Sequence, residues 1–304
     1  MKKELVNELS SVIKGGRVAA EEPMSAHTTF QTGGAVEVFA EPADMDELKK
    51  TLGLLKSKGE HFYLIGNGSN LLVSDKGLRG VAIHLAKGFG DICIEGNTLI
   101  CGASATLSQI ARAALAHSLT GFEFAAGIPG SLGGAIVMNA GAYDGEMKQV
   151  VKSVTLMDYE GKMVKKRADE MRFSYRHSLL KEERFIVLEA EIALQEGISA
   201  SIREKMDELA ARRREKQPLE YPSAGSTFKR PKGYFAAKLI QDAGLRGFCV
   251  GDAQVSEKHC GFVVNKGSAS SADIYALIKE VQKRVKASAG VDIETEVICL
   301  GEFD

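Results

Sequence analysis

The sequence predicts an α+β protein of two domains. Three observations lead there. The chain has 304 residues, enough for two domains that each bury a core of their own. Hairpin-like strand pairs are mixed with capped helices, which argues against the regular strand–helix alternation of a doubly wound sheet. The character of the chain then changes near residue 200, where a charged helix runs into a loop rich in Pro, Gly and Ser over 218–233. We therefore expect a first domain over residues 1–200, made of two α/β subdomains that divide near residue 80. A smaller second domain covers 201–304.

The elements follow in order. Ala35 to Ala40 alternates as a strand does. Asp44 and Glu47 form a capping box that opens a helix to about Lys58. Phe62 to Ile65 is a short apolar strand ending at Gly66, and Val81 to Leu85 is another. Asp91 to Glu95 and Thr98 to Cys101 are joined by a Gly96-Asn97 hairpin turn. Thr106 and Gln109 cap a helix through His117. Val150 to Asp158 and Lys162 to Lys166 form a second hairpin around Glu160-Gly161, and Phe185 to Leu194 is a long strand. Past the boundary, Ser201 with Glu204 caps a helix that runs to about Lys216 and stops before Pro218. Tyr234 to Ala243 is helical, and short strands lie near Cys249 to Val255 and Phe262 to Val264. An amphipathic helix from Ser271 to about Ser288 leads to a last strand, Asp292 to Leu300.

Composition excludes several classes of function. Apolar residues make up 44% and charged residues 26%, ordinary values for a soluble globular protein. A net charge of -1 gives no electrostatic reason to expect nucleic acid or an anionic membrane as partner. The run Arg212-Arg213-Arg214 sits among acids and reads as a solvated helix face. The N-terminus enters a mixed charged segment with no apolar h-region. The most apolar long stretch, Phe122 to Tyr143, is broken by Pro129, by glycines and by Glu123, so a membrane helix is not expected. These features point to a cytoplasmic protein with a small-molecule substrate, and no obligatory protein partner is evident. Cys93, Cys101, Cys249, Cys260 and Cys299 are odd in number and widely spaced, which suggests buried free thiols in strands and neither disulfides nor zinc. The six histidines stand singly, and no metal site is expected.

The thirty-two glycines concentrate in two clusters. The first is Gly66-Asn67-Gly68-Ser69-Asn70, directly after a strand. Glycines there permit a tight turn whose successive N–H groups form a nest for phosphate oxygens, and a plain surface turn is the alternative. Leu71 stands where a dinucleotide fingerprint would place its third glycine. The second cluster runs from Gly127 through Gly130, Ser131, Gly133, Gly134 and Asn139 to Tyr143. Pro129-Gly130-Ser131 signals a turn or cap, and Gly133 and Gly134 fall in the first turn of the next helix. That arrangement suits a ligand at a positive helix end, with close packing of two backbones as the alternative. Three further polar spots are Ser174 to Ser178, Ser223 to Pro231, and Glu294-Thr295-Glu296. Each alone would pass for surface polarity.

Taken together these segments resemble the UDP-N-acetylenolpyruvoylglucosamine reductase family. The matching residues are Thr29-Phe30 with Gly33-Gly34, Gly66 to Leu72, Gly127 to Tyr143, Ser174 to Ser178, Ala224 to Pro231 and Glu294 to Gly301, in family order. The resemblance implies an FAD-binding domain of the vanillyl-alcohol-oxidase type followed by a substrate-binding domain. It implies non-covalent FAD, with NADPH as hydride donor. Gly66, Asn67, Gly68, Ser69, Asn70, Gly127, Gly130, Ser131, Gly134 and Asn139 become cofactor-binding candidates, because both clusters would hold the FAD diphosphate. Ser226, Arg176 and Glu296 carry over as the catalytic positions, and Lys216, Lys229 and Arg230 as substrate-binding cations. The residue types suit reduction of an enol ether that bears a carboxylate. A guanidinium can stabilise the negative charge that develops beside the carboxylate, and a hydroxyl can return a proton to one face. Larger family members carry a tyrosine-bearing insertion that closes over the substrate. Too few residues separate Arg176 from the strand at Phe185 to hold it, so the chain resembles the shorter class. Two other readings remain: an alcohol oxidase of the same flavin superfamily, and a catalytically inert binder of sugar nucleotides.

Overall fold

The computed structural model describes residues 2–85 and 87–303. The chain forms two compact units: 1–20, 38–67 and 80–213 make the first, and 21–37, 68–79 and 214–304 the second. The boundary expected near residue 200 thus lies at 213/214, inside a continuous helix. The second unit also takes up two segments from the N-terminal part of the chain. Composition could not reveal this, because the two segments look like their neighbours in sequence and differ only in their contacts.

The first unit holds helices α1 (Lys2–Val12), α2 (Met45–Lys58), α3 (Leu107–Ala116), α4 (Leu132–Met138) and most of α5 (Ser199–Lys216). Its larger sheet has the order Met163–Arg167, Val151–Asp158, Phe185–Ala193, Thr98–Gly102, Ile92–Glu95, and every pairing is antiparallel. The predicted turn joins Glu95 to Thr98, with positive φ at Gly96 alone of its two residues, as a type II′ turn requires. A second sheet pairs Phe62–Ile65 in parallel with Leu78–His84. The expected caps are present. Asp44 accepts from the Glu47 N–H, and Thr106 exchanges bonds with Gln109. The Glu47 carboxylate instead accepts from the backbone N–H groups of Lys14, Gly15 and Ala43, tying the α1–strand connection to α2. Leu107, Ile110, Ala111 and Ala114 form the buried stripe of α3, the spacing an amphipathic helix needs.

The second unit holds α6 (Ala236–Asp242) and α7 (Ser271–Ala289). Cys249–Val250, Ala253–Val255 and Val263–Asn265 form a small antiparallel sheet under α7. Ile274, Leu277, Ile278, Val281 and Val285 supply the buried face of α7. Ser270 and Asp273 cap this helix, and the Asp75 carboxylate accepts from Ser271 and Ala272 N–H. The expected strand Asp292 to Leu300 is regular only over Ile298–Leu300, because its parallel partner, Leu71–Val73, is three residues long. The helix expected from a Ser201 cap begins at Ser199, and the one expected from Tyr234 begins at Ala236. Of the cysteines, Cys101 and Cys260 are buried while Cys93, Cys249 and Cys299 are exposed, and all five are free. The expectation of five buried thiols therefore holds for two. Among the described residues no helix is long and apolar enough to cross a membrane.

Candidate active site

The two glycine clusters meet in the first unit. Gly66 and Asn67 leave the Phe62–Ile65 strand and line a cavity together with Ser104, Ser131, Gly133 and Gly134. Ser131 is the N-cap of α4, and its Oγ would lie 2.8 Å from a Cβ built on Gly66. A side chain at position 66 would displace that hydroxyl. Among the described residues no carboxylate lines the cavity, whose walls are otherwise apolar, with His84 at one side. Bare backbone, two hydroxyls and no negative charge fit a diphosphate group.

The glycines at the start of α4 divide into two roles. The Gly133 N–H donates to Ala103 O at 2.8 Å and the Leu132 N–H to Ala105 O at 2.8 Å. A Cβ on Gly133 would come within 3.3 Å of the Ala103 Cβ. Here the packing alternative prevails: two backbones approach, and these amides are spent on each other. Gly134 is different. Its N–H donates to the capping Ser131 Oγ at 3.4 Å, but it is exposed and its Cβ would meet only that hydroxyl, at 3.6 Å. The remaining candidates of the second cluster lie outside the cavity lining. Gly130 O accepts from Leu107 N–H, and a Cβ on Gly127 would lie 3.3 Å from Arg213 Cδ. Asn139 is fully buried with φ +41. Its Nδ2 donates to Glu146 Oε2 and Ser174 O, and its Oδ1 accepts from Lys148 N–H. Its amide orders the loop that carries Arg176.

Arg176 occupies a tight turn in which Ser174 and His177 exchange backbone hydrogen bonds. Its φ is +53, a left-handed conformation that costs a non-glycine residue about 1 kcal/mol or more. The guanidinium donates to Gly141 O at 3.3 Å and stands 5.3 Å from the Tyr175 ring centre. The strained turn aims a half-buried cation at the second cluster's end.

In the second unit the other two catalytic candidates come together on paired segments. The Glu296 N–H donates to Thr227 O, the Lys229 N–H to Glu294 O, and Phe228 bridges Thr295. Ser226 stands at the head of this pairing and bridges Phe262 on its other side. Asn70 Nδ2 donates to Glu296 O and Asn70 O accepts from Ile298 N–H, so the end of the first glycine cluster braces the Glu296 segment. Gly68 belongs to this unit too. A Cβ there would lie 1.9 Å from His27 O, so only glycine fits, and its carbonyl accepts from Thr29 and Leu71 N–H. Ser69 beside it is half-buried. Lys229 pairs with Glu294 at 2.8 Å, Arg230 stacks on Phe235 at 4.0 Å, and Lys216 ends α5 in solvent.

Two residues that sequence reasoning passed over belong in this description. His259 lies on the turn whose Gly261 O accepts from Thr227 N–H. Burial lowers its pKa, and Gly261 N–H donates to Nδ1, which fixes the neutral ring with its proton on Nε2. A histidine isolated in sequence gives no signal of this. Arg213 is the other. It is half-buried where Arg212 and Arg214 are exposed, and the spacing of Ile202, Met206, Leu209 and Arg213 signals that difference.

Comparison with known proteins agrees with this geometry. Residues 36–166 match the model of an FAD binding domain. Residues 217–300 match that of the UDP-N-acetylenolpyruvoylglucosamine reductase C-terminal domain. A UDP-N-acetylenolpyruvoylglucosamine reductase of Caldanaerobacter subterraneus subsp. tengcongensis is 51% identical over 298 residues, 98% of each chain. One from Agathobacter rectalis is 51% identical over 93% of this chain and 94% of its own. The crystal structure of UDP-N-acetylenolpyruvylglucosamine reductase from Thermus caldophilus superposes with a TM-score of 0.82 at 32% identity, covering 94% of this chain and all of that one.

Proposed function

The chain belongs to the UDP-N-acetylenolpyruvoylglucosamine reductase family, and from that premise we infer how its own residues perform the family's reaction. The protein is an FAD-containing oxidoreductase. It reduces the enolpyruvyl C=C bond of UDP-N-acetylglucosamine enolpyruvate with NADPH as donor, giving UDP-N-acetylmuramate for peptidoglycan synthesis. Bound FAD supplies the hydride carrier between the two.

The observation that carries the site assignment is the carboxylate-free cavity where Gly66 meets Ser131. Gly66, Asn67, Ser131 and Gly134 would hold the FAD diphosphate there, Gly134 by leaving room for it beside the Ser131 hydroxyl. Gly68, Ser69 and Asn70 complete the first loop. Gly127, Gly130 and Asn139 shape the second. Arg176 faces the substrate carboxylate and stabilises negative charge as it spreads from the adjacent carbon. Ser226 delivers the proton to that carbon. A hydroxyl is a weak acid, so the positive charge of neighbouring groups must stabilise the alkoxide left behind. Glu296 holds the enolate or the water network around it. Lys216, Lys229 and Arg230 bring positive charge to the substrate's diphosphate. NADPH and the sugar nucleotide take turns at one place, because the sequence has no second dinucleotide motif, and ping-pong kinetics follow. We place the enzyme in the cytoplasm as a contributor to cell shape and division, a reading supported by two soluble nucleotide substrates.

The test is substrate-dependent consumption of NADPH by the full chain with FAD, with mass spectrometry of the product. The account expects one NADPH per product, heavier than the substrate by two hydrogens. NADPH oxidation that proceeds equally without the enolpyruvyl substrate, with oxygen as acceptor, contradicts it and favours the oxidase reading.

A further inference from the structure

Among the described residues that line the cofactor cavity, His84 is the one ionisable side chain. Register sets its place. His84 ends the strand Leu78–His84 and lies opposite Ile65 on the parallel partner Phe62–Ile65. The ring therefore stands beside the point where the chain leaves for Gly66 and Asn67, and ligands commonly bind outside the carboxyl ends of parallel strands. The ring is also held. Its Nδ1 lies 2.8 Å from Glu41 Oε1, and it stacks on Phe39 with ring centres 6.2 Å apart. Behind them Arg17 lies over the Phe39 ring at 5.5 Å and comes within 4.0 Å of Glu41 Oε2. This bracing fixes what the other nitrogen can do. An ionised carboxylate only accepts, so Nδ1 carries a proton in either charge state of the ring. Among the described residues no group hydrogen-bonds Nε2. As neutral imidazole, Nε2 offers a lone pair; as imidazolium, it donates. A diphosphate oxygen only accepts, so only the imidazolium can meet it. Glu41, with Arg17 behind it, is the charged group set against the ring, and the other described lining residues are uncharged.

We propose that His84, aligned by Glu41, binds the FAD diphosphate as an imidazolium, so that cofactor binding takes up a proton. This rests on the reading that the diphosphate lies between Gly66 and Ser131. His84 touches the cofactor and Glu41 is a positioning residue. The imidazolium supplies the one positive charge of the cavity wall among the described residues, and a charge-assisted bond to phosphate is stronger than a neutral one. A bland alternative exists: the pair ties two strand ends together and Nε2 meets only water. The two readings differ in how FAD affinity responds to pH.

The experiment uses the flavin-stripped full chain as wild type, His84→Phe, His84→Gln and Glu41→Gln. It measures the Kd of FAD at about pH 6 and about pH 8, a range that spans ordinary imidazole titration. Calorimetry in buffers of different ionisation heat counts the protons taken up, and the flavin-free Tm is recorded alongside. Wild type should bind FAD roughly tenfold more tightly at the lower pH and take up a proton. His84→Phe keeps a ring on Phe39 and removes both nitrogens. It should bind about tenfold or more weakly than wild type at the lower pH, with the pH dependence gone. His84→Gln, whose amide donates without charge, should recover part of the affinity and none of the pH dependence. Glu41→Gln lets the neutral ring carry its proton on Nε2. It should bind FAD at the higher pH at least as well as wild type and take up less proton. Wild-type affinity that ignores pH, or that weakens on acidification as bonding from a ribose hydroxyl or adenine amine would, overturns the proposal. So does a His84→Phe variant with altered flavin-free Tm and the wild-type pH dependence of Kd. Wild-type protein that binds no FAD at either pH refutes the underlying functional reading before the variants are compared.

Discussion

Replacing Gly134 should raise the stability of the flavin-free protein while abolishing its response to FAD. A Cβ at this position meets only Ser131 Oγ at 3.6 Å, so the folded chain has room for a side chain. Gly134 stands in α4, where replacing glycine by alanine gains up to about 1 kcal/mol, or roughly 2–4 °C in Tm for a domain of this size. The room available is the cavity itself, and a larger side chain fills it. FAD at a hundredfold excess over its Kd stabilises the wild type by about 2.7 kcal/mol, roughly 5–10 °C. Gly134→Ala tests the first half of the expectation and Gly134→Leu the second. Thermal unfolding with and without FAD, read by tyrosine fluorescence or circular dichroism, measures both. The Leu variant should unfold no earlier than the wild type without FAD and gain almost nothing from it. If Gly134→Leu gains the full wild-type increment, the cavity between Gly66 and Ser131 is not where the cofactor lies. Gly133→Ala is the internal control. Its Cβ would crowd Ala103 at 3.3 Å, so it should lose stability instead.

Three other outcomes follow from the same geometry. Ser226→Ala should lower the rate of substrate reduction by about 10²–10⁴-fold while leaving NADPH-driven bleaching of the flavin intact, as stopped-flow absorbance would record. Asp75→Ala removes the acceptor for Ser271 and Ala272 N–H at the start of α7 and should cost about 1–2 kcal/mol in denaturant unfolding. Glu47 gives a pH signature. Burial raises its pKa, but the N–H groups of Ala43, Gly15, Lys14 and Gly16 together outweigh burial and hold it below the ordinary 4.5. A carboxylate depressed in the folded state adds stability above pH 4.5 that is lost as pH falls through its folded value. Glu47→Gln should therefore flatten the acid limb of the stability profile, and an unchanged acid limb would contradict the assignment.

Much of the fold was legible because local signals agree with tertiary structure. Asp44, Thr106 and the Gly96-Asn97 turn fix element ends by bonds between near neighbours, which the sequence displays directly. The membership of residues 21–37 and 68–79 in the second unit was not legible, since it depends on pairings such as Leu71–Val73 with Ile298–Leu300 across more than two hundred residues. The candidate site divides the same way. Gly66, Ser131 and Gly134 were visible as clustered small residues, but nothing in the sequence separated Gly134 from Gly133, whose N–H is spent on Ala103. Ser226 and Glu296 are brought onto adjacent segments by the Thr227–Glu296 bond, a register that only the folded backbone sets. The run of three arginines reads as one solvated face, but only Arg212 and Arg214 are exposed, and Arg213 is half-buried, as helical spacing from the buried Leu209 signals.

The central claim is that this chain holds a flavin able to pass reducing equivalents from NADPH to an enolpyruvyl sugar nucleotide. Its most direct test is the visible spectrum of the purified protein under anaerobic conditions. The account predicts a yellow protein that bleaches on adding one equivalent of NADPH and regains its colour when UDP-N-acetylglucosamine enolpyruvate follows. A colourless protein that takes up no FAD, or a bleached one whose colour returns only on admitting air, would contradict it.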